Sequence, residues 1–260
     1  MGANDGLFSF GENDGHIGTK AKAWKADNGQ TYRMSFAWWP LDAEGKPVLS
    51  VEAETGEVDA AGNKIKVRKS AAPQFSGGPT NFIQGVGYVI NDGPEITKLA
   101  GGEPPRQRIV TVIVLWPTNK KGEIQKERLA EFEVKPWVIN AEKYRTLEQL
   151  HREWGFGDVD ITARCEENGA QFQKLTFAVC KENLYQKMLA NPKAVELTNR
   201  IVEEVAHITS NIREFVGRKM TAQQIREKLA GGGQPVARDV GDSAVADSAI
   251  SDVVAGLLDN

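Results

Sequence analysis

The sequence predicts an α+β fold, in which an OB-like antiparallel β-barrel follows N-terminal β-ribbons and precedes C-terminal helices. Asn-Gly pairs at residues 28–29 and 168–169 each separate two alternating runs, a pattern that favours two-residue hairpin turns. Residues 109–116 form a continuous apolar, β-branched run of the length expected for a strand buried on both faces. Beyond residue 190, apolar residues recur every three or four positions, which is typical of helices.

The N-terminal part of the chain is expected to contain an arm and two ribbons. Residues 1–15 are rich in Gly, Asn and Asp and are interpreted as an arm. The first ribbon spans residues 18–39, and the second lies within residues 48–69, where residues 61–63 supply turn chemistry. A loop-rich stretch follows, with one short strand at residues 82–90.

The element order of residues 82–180 is predicted to be strand, strand, strand, helix, strand, strand. This is the order of an OB-fold, a small barrel widely used to bind oligonucleotides. Other α+β domains share this element order, so the order does not by itself indicate a function. After the strand at 82–90, strands are expected at 109–116 and 129–138, an amphipathic helix at 141–154, and a hairpin from 159–166 and 171–179.

Helices are expected after the barrel. Asn191-Pro192 fits an N-cap followed by proline at the first helical position, and residues 221–224 resemble a capping box. An apolar stripe between these signals is predicted to cover the barrel in the same subunit, with self-association as the alternative. The stripe consists of Ile201, Val205, Ile208, Ile212 and Phe215.

Composition indicates a soluble globular protein. The 260 residues are 40% hydrophobic and 26% charged, and no stretch approaches the roughly 20 apolar residues that span a bilayer. The N-terminus has no signal-peptide pattern, so we expect a cytoplasmic protein without a membrane partner. Cys165 and Cys180 support neither a disulfide framework nor a metal cluster and are expected to be reduced.

The charge is unevenly distributed along the chain. Residues 231–260 hold five aspartates and one arginine, a net charge of −4, so the remaining 230 residues carry +1. The layout is therefore an arm at 1–15, a β-rich domain at 16–180, helices at 181–230 and a flexible acidic tail at 231–260. Aliphatic and acidic residues at helical spacing make the tail a candidate partner-binding peptide, with a frayed terminus as the alternative. Its candidate contacts are Asp252, Val253, Val254, Leu257, Leu258 and Asp259.

The first ribbon is predicted to have one basic and aromatic face. Strand alternation places Lys20, Lys22, Trp24, Arg33 and Trp39 on that face, opposite an apolar side that packs on the core. Phosphates attract the cations, and unstacked bases stack on the indoles, each stack contributing roughly 1–3 kcal/mol. The alternative is a solvated face with a structural tryptophan.

Further cations could extend this face into a phosphate track. Each cluster taken singly also fits a solvated sheet edge. The candidates are Lys64, Lys66 and Arg68 on the second ribbon, and Arg106, Arg108, Lys120 and Lys121 at strand ends.

A catalytic site is not indicated. His16, His151 and His207 lack the spacing of metal ligands, and the chain has no Gly-Lys-Ser or Gly-Lys-Thr phosphate loop. Asp158 and Asp160 alternate on a predicted strand and could hold a metal, as in a nuclease, but Asp-x-Asp is nonspecific. We therefore expect no enzyme activity and no cofactor.

The chain resembles the single-stranded DNA-binding proteins of tailed bacteriophages. The resemblance covers the whole layout of β-rich body, basic aromatic ribbons and acidic tail, and it includes residues 135–137, 144–147 and 172–174. Within that class the chain is similar to the single-stranded-DNA-binding transcription cofactors of N4-like phages. The tail ends in Gly256-Leu257-Leu258-Asp259-Asn260 and so differs from the Ile-Pro-Phe ending of the bacterial proteins.

This resemblance implies a sequence-tolerant binder of single-stranded DNA in viral replication, recombination or early transcription, located in the host cytoplasm. It also implies that the tail recruits a polymerase or helicase, and a homo-oligomer is possible. The preference between DNA and RNA stays open. The alternative function is a non-DNA adaptor whose C-terminal peptide recruits a partner.

Overall fold

The computed structural model describes residues 22–119, 121–168 and 173–231, which form a mixed α+β fold. The strands are β1 (Thr31–Phe36), β2 (Ser50–Val58), β3 (Lys64–Ser70), β4 (Ser76–Ile83), β5 (Gly87–Ile90), β6 (Arg106–Trp116), β7 (Glu133–Asn140), β8 (Ile161–Asn168) and β9 (Gln173–Val179). The helices are α1 (Pro94–Leu99), α2 (Ala141–Trp154), α3 (Leu184–Ala190), α4 (Val195–Ser210), α5 (Ile212–Val216) and α6 (Ala222–Ala230). Short 3₁₀ segments lie at Lys126–Glu131 and Pro192–Ala194.

β6 is the centre of a seven-stranded sheet. One of its edges pairs with β7, and the other pairs first with β4 and then with β1. β8 and β9 continue the sheet beyond β1, and β5 continues it beyond β4; every one of these pairings is antiparallel. Over the described residues the sheet does not close into a barrel. The prediction of an α+β fold is therefore confirmed, and the predicted barrel is not.

The sequence of β6 explains its central position. Val112, Ile113 and Val114 are fully buried, and branched side chains of this kind pack well on both faces of a pleated strand. Beside β6, the Phe36 ring of β1 stacks on Phe156 with ring centroids 4.4 Å apart. An aromatic core therefore fixes the strands around β6.

The C-terminal helices cover the sheet as predicted. α4 packs against β6 and β7, and α5 packs against β4, β6 and β7, so the apolar stripe lies against the sheet of its own subunit. The capping box also forms: the Thr221 hydroxyl accepts from the Gln224 N–H, and the Gln224 side chain accepts from the Thr221 N–H.

Three predictions of secondary structure are confirmed. The second ribbon forms from β2 and β3, helix α2 spans the predicted residues 141–154, and β8 and β9 form the predicted hairpin. Asn140 caps α2, because its side chain accepts a hydrogen bond from the Lys143 N–H at 2.9 Å.

Three other predictions are wrong. The chain turns at residues 27–30, where the Gln30 N–H donates to the Asp27 carbonyl, but residues 22–26 form no strand and the first hairpin is absent there. The single strand at residues 82–90 is a hairpin of β4 and β5. The strand expected from residue 129 begins at Glu133, after a 3₁₀ segment.

No helix in the described part of the chain is long and apolar enough to cross a membrane. The predicted arm, Lys20, Lys120 and residues 232–260 of the acidic tail lie outside the described residues. The same holds for the tail candidates Asp252, Val253, Val254, Leu257, Leu258 and Asp259.

Candidate nucleic-acid interface

The prediction that Trp39 lies on an exposed face is wrong. The Trp39 side chain is 1% exposed, and its indole N–H donates to the Phe36 carbonyl at 2.8 Å. The alternation expected for residues 18–39 does not extend that far, because β1 ends at Phe36. Trp39 is therefore a core residue and offers no surface for a base.

Arg33 is also turned away from solvent. Its Nε lies 3.0 Å from Oδ2 of the buried Asp160, and its Nη2 lies 3.5 Å from a Glu182 carboxylate oxygen. The side chain is 13% exposed. The Arg33 charge is paired within the fold and is largely shielded from a phosphate in solution, so the prediction that Arg33 lies on an exposed basic face is wrong.

Asp160 is the centre of this buried network. Besides Arg33, it accepts hydrogen bonds from the Ser35 hydroxyl and from the Leu184 N–H at 3.2 Å. Burial raises the pKa of Asp160 to about 6, and the Arg33 charge opposes that shift. The neighbouring Asp158 lies 3.5 Å from Arg68.

These contacts account for both aspartates of the possible nuclease site. Among the described residues, no group of three or more His, Cys, Asp and Glu side chains is placed to hold a metal ion.

Trp24 is half-buried and packs against the core. Its ring lies 5.3 Å from the Tyr32 ring and 5.5 Å from the Trp137 ring, both edge-to-face. The Trp24 N–H donates to the Pro136 carbonyl of β7 at 2.7 Å. Trp116 and Trp137 are buried, whereas Trp154 is 57% exposed.

Among the described residues, the predicted cations do not meet in one track. Arg106 is the first residue of the eleven-residue strand β6, and Lys121 follows the far end of that strand, so the strand separates the two by more than about 30 Å. On the second ribbon, the cations lie beside carboxylates: Lys64 is 2.7 Å from Glu54, and Lys66 is 3.7 Å from Glu52. Lys22 is exposed and lies outside any strand.

A different surface combines exposed aromatic rings with arginines. Phe82 of β4 and Tyr88 of β5 are directly opposite in the hairpin register, and their ring centroids are 5.1 Å apart. Phe82 is 59% exposed and Tyr88 is 42% exposed. The guanidinium of Arg108 lies 3.6 Å from the centre of the Tyr88 ring, a cation–π contact. We call Phe82, Tyr88, Arg106 and Arg108 the aromatic–arginine patch.

Local geometry holds this hairpin in place. The turn between β4 and β5 contains Gly85, and Gly87 is the first residue of β5; their φ angles of 83° and 97° favour glycine. The Arg218 N–H donates to the Tyr88 carbonyl at 2.9 Å, and the Ile90 N–H donates to the Arg218 carbonyl at 3.0 Å. The patch is therefore built on a hydrogen-bonded sheet and not on a loose loop.

The hairpin has its own apolar support. Ile83 and Val89, which alternate with the exposed rings, belong to a small buried cluster together with Ile96 of α1 and Ile225 of α6. One side of the hairpin is therefore packed on helices, while Phe82 and Tyr88 remain exposed on the other.

The two arginines of the patch differ in exposure. Arg108 donates from Nη2 to the Phe215 carbonyl at 3.1 Å, and its buried Nε has no hydrogen-bond partner among the described residues. Burial lowers the pKa of Arg108, and Tyr88 opposes that shift. The Arg106 side chain is 64% exposed and lies 3.9 Å from Glu103. Arg106 is opposite Thr80 in the register, two residues before Phe82 on β4, so the patch combines an exposed cation with two exposed rings.

Sequence reasoning included both arginines but missed both rings. The signal that could have found them is Gly85, which marks a turn with Phe82 and Tyr88 three residues away on either side. No protein-family model matches this chain, and neither a curated protein nor a solved structure matches it.

Proposed function

We propose that the protein is a sequence-tolerant binder of single-stranded DNA that acts, without catalysis, in phage replication, recombination or early transcription. The observation that carries this proposal is the exposed pair Phe82 and Tyr88 beside Arg106 and Arg108. Aromatic faces stack on unpaired bases, and arginines attract the phosphates between them. Duplex DNA keeps its bases stacked inside, so the exposed rings favour a single strand.

The strand order supports an OB-like interpretation of the sheet. β1, β6 and β7 follow one another in space, α2 follows β7, and β8 and β9 return to the free edge of β1. This order, with β1 in place of the first strand expected at residues 82–90, supports assignment to the OB-fold, which is a partly open barrel. Residues 22–26 bridge the gap between β7 and β9 by hydrogen bonds. The backbone N–H of Trp24 donates to the Pro136 carbonyl of β7, and the backbone N–H of Ala26 donates to the side-chain oxygen of Gln173 on β9.

The position of the patch fits that interpretation. β4 and β5 lie in the long connection between β1 and β6, which are the first and second strands of the OB-like order. OB-folds use the connection between their first two strands to hold oligonucleotides. The aromatic–arginine patch is therefore on an element that this fold class uses for binding.

A titration of fluorescent oligothymidine and of a matched duplex tests the proposal. We expect anisotropy to report tighter binding of the single strand, weakening with salt by a slope of about −0.7 per phosphate contacted. Preference for the duplex, or no binding of the single strand at low salt, would overturn the proposal. The second outcome would favour the adaptor function.

A further inference from the structure

The second ribbon stands apart from the main sheet. β2 and β3 form a separate two-stranded sheet and pair with each other from Ser50↔Ser70 to Val58↔Lys64. In the described part of the chain, neither outer edge of this ribbon is paired with another strand. Unpaired strand edges carry backbone donors and acceptors that can pair with another chain.

The two edges have opposite charge. β2 contains three glutamates and no Lys or Arg, while β3 contains four cations and no Asp or Glu. The acidic edge holds Glu52, Glu54 and Glu57, and the basic edge holds Lys64, Lys66, Arg68 and Lys69.

The ribbon also has an exposed apolar face. Ala53 and Val67 are directly opposite in the register, so they share a face with Val51 and Ile65. Val51 is 45% exposed and Val67 is 37% exposed. A two-stranded ribbon is marginally stable by itself in water, and a further strand paired at its edge would stabilise it by extending the sheet.

We propose that the ribbon is a contact between copies of this chain, in which β3 of one copy pairs antiparallel with β2 of the next. Within the ribbon, Glu54 of β2 pairs with Lys64 of β3. The proposed contact would place glutamates of one copy beside lysines of the next in the same way. Pairing of two β2 edges would oppose carboxylates, and pairing of two β3 edges would oppose cations, so both are disfavoured. Charge complementarity therefore selects a second copy in the same orientation.

This contact is heterologous. Each added copy leaves an acidic edge at one end and a basic edge at the other, so the arrangement extends as an open array and does not close as a symmetric dimer. The register of β2 shifts between Glu54 and Val58, where Gly56 has a φ of 82°, so the pairing segment of β2 is Ser50–Glu54. An interface this short and this charged is expected to weaken with salt.

The test uses the full-length protein without DNA, so its outcome does not depend on the proposed function. Copies labelled at the N-terminus with donor or acceptor dyes are mixed, and energy transfer is measured at about 10 mM and about 1 M salt. A charge-swapped variant keeps both the ion pairs within the ribbon and the net charge of the chain. It carries Glu52→Lys, Glu54→Lys, Glu57→Lys, Lys64→Glu, Lys66→Glu and Lys69→Glu.

At low salt, the proposal predicts energy transfer between two wild-type copies and between two charge-swapped copies. It predicts no energy transfer between a wild-type copy and a charge-swapped copy. Transfer should also be lost at high salt. The mixed pair is the deciding arm, because it opposes acidic edges to acidic edges and basic edges to basic edges. Equal transfer in the mixed pair, or a monomer at every concentration at low salt, would overturn the proposal.

Discussion

The guanidinium of Arg108 lies 3.6 Å from the centre of the Tyr88 ring. Arg108 comes from the central strand and Tyr88 from the edge strand β5, so the contact joins the middle of the sheet to its rim. A cation–π contact contributes about 0.5–2 kcal/mol, depending on how far it is desolvated. It fixes one face of the Tyr88 ring against the Arg108 guanidinium, while the Tyr88 side chain remains 42% exposed.

Arg106→Ala is expected to weaken DNA binding through the phosphates alone. The exposed Arg106 side chain makes no contact that the fold depends on, so the free energy of unfolding should change by less than about 0.5 kcal/mol. The slope of log affinity against log salt should become shallower by about 0.7. Arg152→Ala is the control, because Arg152 is 71% exposed on α2; equal slopes for the two variants would contradict a role of Arg106 in binding.

Arg33→Ala is expected to destabilise the fold by about 3–5 kcal/mol at neutral pH, because it leaves the buried Asp160 charge without its partner. Urea unfolding measures this loss. Arg164→Ala, at an exposed position on the neighbouring β8, should cost less than about 0.5 kcal/mol. A similar small loss for both variants would show that the buried ion pair contributes little.

Stability is expected to depend on pH through Asp160. The folded pKa of about 6 lies above the ordinary Asp value, so the folded state binds this proton more tightly than the unfolded state does. The free energy of unfolding should therefore fall as pH rises from about 4 to about 6, by up to about 3 kcal/mol. Asp160→Asn should remove this component of the pH profile; an unchanged profile in that variant would assign it to other groups.

Deletion of residues 234–260 is expected to tighten DNA binding, because the removed carboxylates compete with phosphates for the same cations. The deletion should also abolish capture of a polymerase or helicase. Anisotropy and pull-down assays measure the two effects separately. Unchanged affinity together with intact capture would refute both roles of the tail.

Local signals in the sequence predicted the elements that depend on local interactions. Helix α2 follows from the amphipathic period of residues 141–154 and from the Asn140 cap, both of which are encoded within a few residues. The ribbon of β2 and β3 and the hairpin of β8 and β9 follow from alternation around turn residues.

The prediction of a first hairpin was wrong because the two segments on either side of its turn pair with strands that are distant in sequence. The turn at residues 27–30 forms, but the Trp24 N–H finds its acceptor at Pro136 of β7 and not on β1. β1 pairs instead with β6 and β8. Long-range pairing of this kind leaves no periodic signal in the segment itself, so the faces assigned to Trp39 and Arg33 were wrong.

The candidate site was only half predictable for a related reason. The cations at 106 and 108 stand out in the sequence, whereas Phe82 and Tyr88 become a surface only when the turn at Gly85 folds one onto the other. Exposure also depends on packing that sequence does not reveal. Ile83 and Val89 are covered by α1 and α6, which lie before and long after β6 in the chain.

The most direct test of the account compares Phe82→Ala and Tyr88→Ala with Trp154→Ala in binding to oligothymidine. Trp154 is a matched control, because it is as exposed as Phe82 and lies about 20 Å along α2 from Asn140, the residue paired with Arg108. Loss of one stacked base costs about 1–3 kcal/mol, so each patch variant should raise the dissociation constant about 5-fold to 150-fold, with Trp154→Ala unchanged. Equal affinities for all three variants and the wild type would contradict the account.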